Sequence, residues 1–205
     1  MTAQDEEEVV RRKTFDVIAS SAGLIIAVIL FVAGGLLTWS HSFINNQVRT
    51  QLAAQQIFFP DAGSEPLADP QVGPYLNKYA GQQLTNGEQA KAYANHFIAV
   101  HIAGMAGGKT YAQLSTESRA NPSDTKLAGT VETVFKGETL RGMLLNAYAF
   151  WKIGQIALYA AWAAFAGGAV MLLLSILGAL HGRNVSVEAE VFPKLGAKTP
   201  IAAGV

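Results

Sequence analysis

The sequence predicts an all-α membrane protein in which two transmembrane helices bracket a mostly helical extracytoplasmic domain. Three observations carry this reading. Residues 18–39 and 153–180 form apolar runs without a single Lys, Arg, Asp or Glu. Each run has the roughly 20 apolar residues that a helix needs to cross a bilayer. The stretch between them, about 110 residues, is polar, and its apolar residues recur at helical spacing rather than in alternation.

Composition narrows the function classes. The chain has 205 residues, 50% hydrophobic and 15% charged, against about 25% charged in soluble domains. Formal net charge is zero, so no basic stripe for nucleic acid is implied. There are no cysteines, which excludes disulfides, thiolate zinc sites, iron–sulfur clusters and cysteine nucleophiles. A central domain of this size has to hold together by packing.

The organisation follows in order. Residues 1–17 form a cytoplasmic tail, acidic at Asp5, Glu6, Glu7 and Glu8 and then basic at Arg11, Arg12 and Lys13. Residues 18–39 are the first transmembrane helix. A signal peptide has a shorter apolar region, about 7–15 residues, and a small-residue cleavage site; the bulky Trp39 and Phe43 after this run favour an uncleaved span. Residues 40–152 are the extracytoplasmic domain, 153–180 the second transmembrane helix and 181–205 a cytoplasmic tail. Orientation rests on basic residues flanking the spans. Arg11, Arg12, Lys13, His181, Arg183, Lys194 and Lys198 outnumber Arg49, Arg141 and Lys152 on the loop side. Both termini are therefore expected in the cytoplasm. Trp39 and Trp151 sit where interfacial aromatics are expected.

Small residues recur every four positions in both spans, at Ala19, Gly23 and Ala27 and at Ala160, Ala164 and Gly168. Such stripes let helices approach closely. They are expected to pack the spans on each other or on a partner helix. Neither span carries an ionisable group that would mark an ion pathway.

Within the domain, Phe43, Ile44, Val48 and Leu52 continue the first span as a helix, which Phe58-Phe59-Pro60 ends. Residues 60–74, rich in Pro, Gly, Asp and Ser, read as a loop. Thr85-Asn86-Gly87-Glu88 fits a capping box, opening a helix to about Ala103 with Ala90, Tyr93, Ala94, Phe97, Ile98 and His101 on its apolar face. Gly104, Gly107 and Gly108 stop it. A short helix spans 110–119, and Asn121-Pro122-Ser123-Asp124 makes a turn and a new cap. Leu127, Val131, Val134 and Phe135 line the next helix, which Gly137 breaks or kinks. The segment from Glu138 leads on into the second span.

Motifs for chemistry are thin. Gly107-Gly108-Lys109-Thr110 resembles the end of a phosphate-binding loop, but the required first glycine is Ala103 and the segment follows a helix. No Gly-x-Ser-x-Gly occurs. His96 and His101, five apart, point about 140° away from each other on a regular helix, so they do not share a metal-binding face. A metal site would need His41, His96, His101 and a loop carboxylate to converge from separate elements. No catalytic residue, metal or cofactor is assigned. His101 reads as a packed histidine. Lys136, Glu138 and Arg141 form a polar cluster suited to a partner or a lipid headgroup. Tyr93, Phe97 and His101 offer the lining of a ligand groove.

Segments 51–60, 81–90, 96–101, 108–111, 137–142 and 145–150 together carry a resemblance. They include Gln55-Gln56-Ile57-Phe58-Phe59-Pro60, His96-Phe97-Ile98-Ala99-Val100-His101 and Gly137-Glu138-Thr139-Leu140-Arg141-Gly142. Over about residues 20–182 the chain resembles an uncharacterised family of actinobacterial two-span membrane proteins. Some members bear the name aromatic ring-opening dioxygenase, which implies non-haem iron on two histidines and a carboxylate. The histidine spacing here does not supply that set, so the resemblance contributes topology alone. The expected function is a non-catalytic accessory or structural subunit of a larger membrane assembly, respiratory, transport or envelope-building. The alternative is a membrane-tethered module that binds a lipid or small ligand. A metalloenzyme comes third. The expected partners are the bilayer and a membrane complex or a second copy of the chain, with no nucleic acid.

Overall fold

The computed structural model describes residues 11–186, Ala189 and Val191. The acidic N-terminal segment and most of the C-terminal tail, including Lys194 and Lys198, lie outside the described residues. The described chain is helical, without a β-strand; one isolated antiparallel bridge joins Phe58 and Gln83. Two helices are long and apolar enough to cross a membrane: α1, Arg12–Ala54, and, much later, a helix at Thr125–Asn184. Between them lie α2 (Glu65–Ala68), α3 (Gly73–Leu76) with a 3₁₀ turn at Asn77–Tyr79, α4 (Gly87–Tyr93), a π-turn at Ala94–Ile98, α5 (Ala99–Met105) and α6 (Tyr111–Ala120). The long C-terminal helix is α7.

The chain divides into two compact units, one of Met1–Leu36 with Ala160–Val205 and one of Leu37–Tyr159. The central unit thus takes in Leu37, Trp39 and Ile153, which the sequence assigns to the spans.

In the first unit α1 and α7 run antiparallel. A Cβ on Gly182 would lie 3.1 Å from Cβ of Asp16, one on Gly178 2.5 Å from the Ser20 hydroxyl, and one on Gly34 2.8 Å from the Phe165 ring. The covered positions on α1 include Asp16, Ser20, Gly23, Ala27, Leu30 and Gly34, which alternate steps of four and three, with Ala33 beside the last of them. On α7 Ala161, Gly168, Ser175 and Gly182 are buried, one small residue every seventh position. This is the 3.5-residue repeat that keeps a seam facing its partner along a helix pair. The small-residue stripes expected every four positions therefore fall partly off the seam. Gly23, Ala27, Ala164 and Gly168 lie on it, whereas Ala19 and Ala160 are exposed. Four residues turn a helix by 400°, so repeated steps of four drift 40° each; the steps of three correct the drift.

The central unit has its own core. Val48 and Leu52 of α1, Phe59, Leu67, Val72, Leu76, Leu84, Ala90, Ala94, Ile98, Ile102, Ala106, Leu114, and Val134 and Leu144 of α7 are buried together. Segment 60–74, expected as a loop, contains α2 and places Leu67 and Val72 in this core. α1 ends where Gln56 adopts φ 52°. The cap of α4 is Asn86 rather than Thr85: its side chain accepts from Gln89 N–H at 3.0 Å, and Gln89 Oε1 accepts from Asn86 N–H at 3.3 Å. The box is shifted by one residue because Asn caps at least as well as Thr, and Gln89 supplies the third-position acceptor. Gly107 and Gly108, at φ 58° and 76°, turn the chain out of α5. Thr110 caps α6 through Gln113 N–H, and Asp124 accepts from Leu127 N–H at 2.9 Å at the start of α7.

At Gly137, where the sequence predicts a break or a kink, α7 does not break: the helix is continuous from Thr125 to Asn184. The role of this glycine is steric. A Cβ there would lie 2.7 Å from Ile102 Cδ1, so the missing side chain admits α5 against α7. Trp151 packs over Gly87, where a Cβ would lie 2.5 Å from Trp151 Cβ. Trp39 is exposed and stacks with Phe43.

Candidate functional site

The buried face of the α4–α5 segment reads Ala90, Ala94, Ile98, Ile102 and Ala106. That is a strict step of four, which a regular helix cannot keep facing one core. The π-turn resolves the mismatch. Ala99 N–H donates to Ala94 O, so one turn holds an extra residue and takes back accumulated drift. Single π-turns inside helices are frequent at functional sites. Here the turn holds Ala94 and Ile98 in the core and sets Asn95 and His96 on the outer side.

His96 opens onto a cleft of about 350 Å³ lined by Pro74, Tyr75, Lys78, Tyr79, Glu88, Lys91, Ala92, His96 and Tyr148. It is an open groove of a size that suits a small ligand. Pro74 and Tyr75 come from α3, Lys78 and Tyr79 from the 3₁₀ turn, Glu88, Lys91 and Ala92 from α4, and Tyr148 from α7. Tyr75 and His96 stack face to face, with centroids 3.6 Å apart and planes at 7°. Lys78 Nζ lies 4.7 Å from the Tyr79 ring centroid, and Lys91 Nζ lies 4.8 Å from that of Tyr148. A cation over an aromatic face is held by the ring quadrupole and keeps its charge for a ligand. The Tyr79 side chain, and more weakly Glu88, push the Lys78 pKa up. Burial, and then Lys91, hold the His96 imidazole below its ordinary range. The groove therefore brings together two lysines, one glutamate and a stacked imidazole whose charged form burial disfavours.

The sequence-derived candidates fall elsewhere. Tyr93 and Phe97 stack at 4.7 Å, and Phe97 and His101 follow at 4.4 Å. This aromatic ladder starts from Phe59, 5.4 Å from Tyr93. Its residues do not line this cleft, and burial raises the Tyr93 pKa. His101, expected to be packed, is exposed, with Nδ1 2.7 Å from the Phe97 carbonyl oxygen. His96 and His101 each contact a different ring, so the two do not converge. The 140° angle expected between them holds for a regular helix and does not apply across the π-turn. Among the described residues no group of three His, Asp or Glu side chains is arranged to hold a metal ion. His41 Nδ1 sits 2.9 Å from the Gly154 carbonyl oxygen.

The expected Lys136, Glu138 and Arg141 cluster separates into two pairs. Lys136 pairs with Glu132 at 2.6 Å on an exposed face. Arg141 pairs with Glu138 at 3.2 Å, and its other terminal nitrogen donates to Asn95 Oδ1 at 3.4 Å. Arg141 thereby ties α7 to the π-turn. Lys109 of the apparent phosphate loop pairs with Glu117 at 2.7 Å.

The cleft residues escaped the sequence reading because they come from four short elements and one turn of the long helix α7. One signal was present: apolar residues at 90, 94, 98, 102 and 106, a period of four that a plain α-helix does not satisfy. No family model, curated protein or solved structure matches the chain.

Proposed function

We propose that the chain is an integral membrane protein whose α1 and α7 cross the bilayer, with both termini cytoplasmic and the central unit on the outer side. In that position it serves as a non-catalytic accessory or structural subunit of a larger membrane assembly. The observation that carries this reading is the exposure of the apolar surface. The most apolar windows of α1 and α7 are only 17% and 11% buried. A core helix of a soluble protein covers such a window. Here the covered side is the small-residue seam, while Ile25, Val28, Ile29, Val32, Leu173 and Leu177 remain open, as lipid-facing side chains are. Arg11, Arg12 and Lys13 at the start of α1 and Arg183 at the end of α7 support the orientation. Apolar side chains left open in the central unit, Phe135, Met143 and Phe150, support a protein partner.

The absence of native cysteine makes the topology directly testable. A single cysteine at Ser123 is expected to react with a membrane-impermeant maleimide added to intact cells. Labelling only after the membrane is opened would overturn the orientation. Purification in mild detergent followed by mass spectrometry is expected to return a stoichiometric membrane partner. A clean monomer would overturn the accessory role.

A further inference from the structure

The cleft carries a binding chemistry that is independent of the accessory role, because all its residues belong to the central unit. We propose that it binds a singly charged anionic group of the phosphodiester type, carried by a ligand of headgroup size. Four features converge on this. Lys78 and Lys91 are braced by tyrosine rings, and among the described residues neither has a carboxylate within ion-pair distance. Glu88 on the same wall reduces the net lining charge to one positive unit, which suits a monoanion better than a dianion. The volume of about 350 Å³ exceeds what a bare carboxylate fills. The stacked Tyr75 and His96 and the Tyr148 ring form flat walls against which the C–H faces of a glycerol or sugar pack. The π-turn is the device that brings His96 to Tyr75 while Ala94 and Ile98 stay in the core.

Two sources share this chemistry, an anionic membrane phospholipid and a soluble phosphodiester. The test uses the full chain in neutral detergent, titrated separately with dihexanoyl phosphatidylglycerol and with glycerophosphoglycerol, and read by calorimetry. Dihexanoyl phosphatidylcholine is the control, since its diester is offset by a cation. The expected result is saturable binding of the phosphatidylglycerol in preference to the phosphatidylcholine. The double variant Lys78→Gln/Lys91→Gln is expected to weaken it at least tenfold. Tyr75→Leu, which keeps an apolar side chain but removes the stack, is expected to weaken it several-fold. Lys126→Gln, on α7 and outside the cleft, is expected to leave it unchanged. Unaltered circular dichroism shows that each variant is folded. Binding of the lipid alone supports a membrane headgroup; equal binding of glycerophosphoglycerol supports a soluble diester. Absence of saturable binding to both probes, or binding that the folded double lysine variant does not weaken, would overturn the proposal.

Discussion

Three glycines within one helix offer a controlled measurement of the packing in the central unit. Gly129, Gly137 and Gly142 all lie inside α7. A Cβ at Gly129 or Gly142 meets nothing within 4 Å, whereas at Gly137 it lies 2.7 Å from Ile102 Cδ1 and 2.9 Å from Cγ1. Glycine in a helix interior costs about 0.5–1 kcal/mol relative to alanine. Gly129→Ala and Gly142→Ala should each recover that amount. For a chain of this size 1 kcal/mol moves Tm by about 2–4 °C. At Gly137 the same gain is opposed by overpacking, about 1–3 kcal/mol. Ile102 is buried and has little room to move, so Gly137→Ala should lose about 1 kcal/mol net. Ile102→Val removes the nearest atom. It should cost about 0.5–1.5 kcal/mol alone and much less in the Gly137→Ala background, since the two residues touch. Thermal unfolding of the full chain in detergent, followed by circular dichroism, reads all of these. If Gly137→Ala raised Tm as much as Gly142→Ala, the contact between α5 and α7 would be refuted.

Other outcomes are equally specific. Asn86→Ala should destabilise by about 1 kcal/mol, and Thr85→Ala by less, because Thr85 Oγ1 reaches Gln89 at only 3.4 Å; the same unfolding assay ranks them. In the helix pair, Gly34→Ala meets the Phe165 ring at 2.8 Å whereas Gly35→Ala meets nothing within 4 Å. The first should therefore lower Tm and the second should not. His96 has a depressed pKa in the folded chain, so the unfolded chain binds that proton more readily. Its contribution is present above the unfolded value, about 6.5, and is lost as pH falls through the lower folded value. Tm measured from pH 7.5 to 5 should drop, and His96→Phe should flatten the part of the drop that His96 causes.

Much of this architecture is determined locally. Two uncharged apolar runs fix the two long helices, because length and hydrophobicity alone make them long enough to span a bilayer. The glycines at 107 and 108 and the Asp124 cap mark element ends through backbone constraints that act within a few residues. Period is where local reading falls short. A step of four looked like the packing stripe of the spans, and only the pairing of α1 with α7 selects the 3.5-residue seam, which leaves Ala19 and Ala160 outside. A step of four likewise placed His101 on a core face, and the tertiary core instead imposed a π-turn that reoriented His96. Gly137 could be read as a breaker until the approach of Ile102 gave it a steric role. Tyr75, Lys78, Lys91, His96 and Tyr148 are spread over more than seventy positions of sequence. Ring stacking and cation–ring contacts are short-ranged, so no pattern along the chain records them. The sequence alone determined where the two long helices and the capped helices α4 and α6 run; the packing of short elements against α7 formed α2 and α3 and decided which side chains share a cleft.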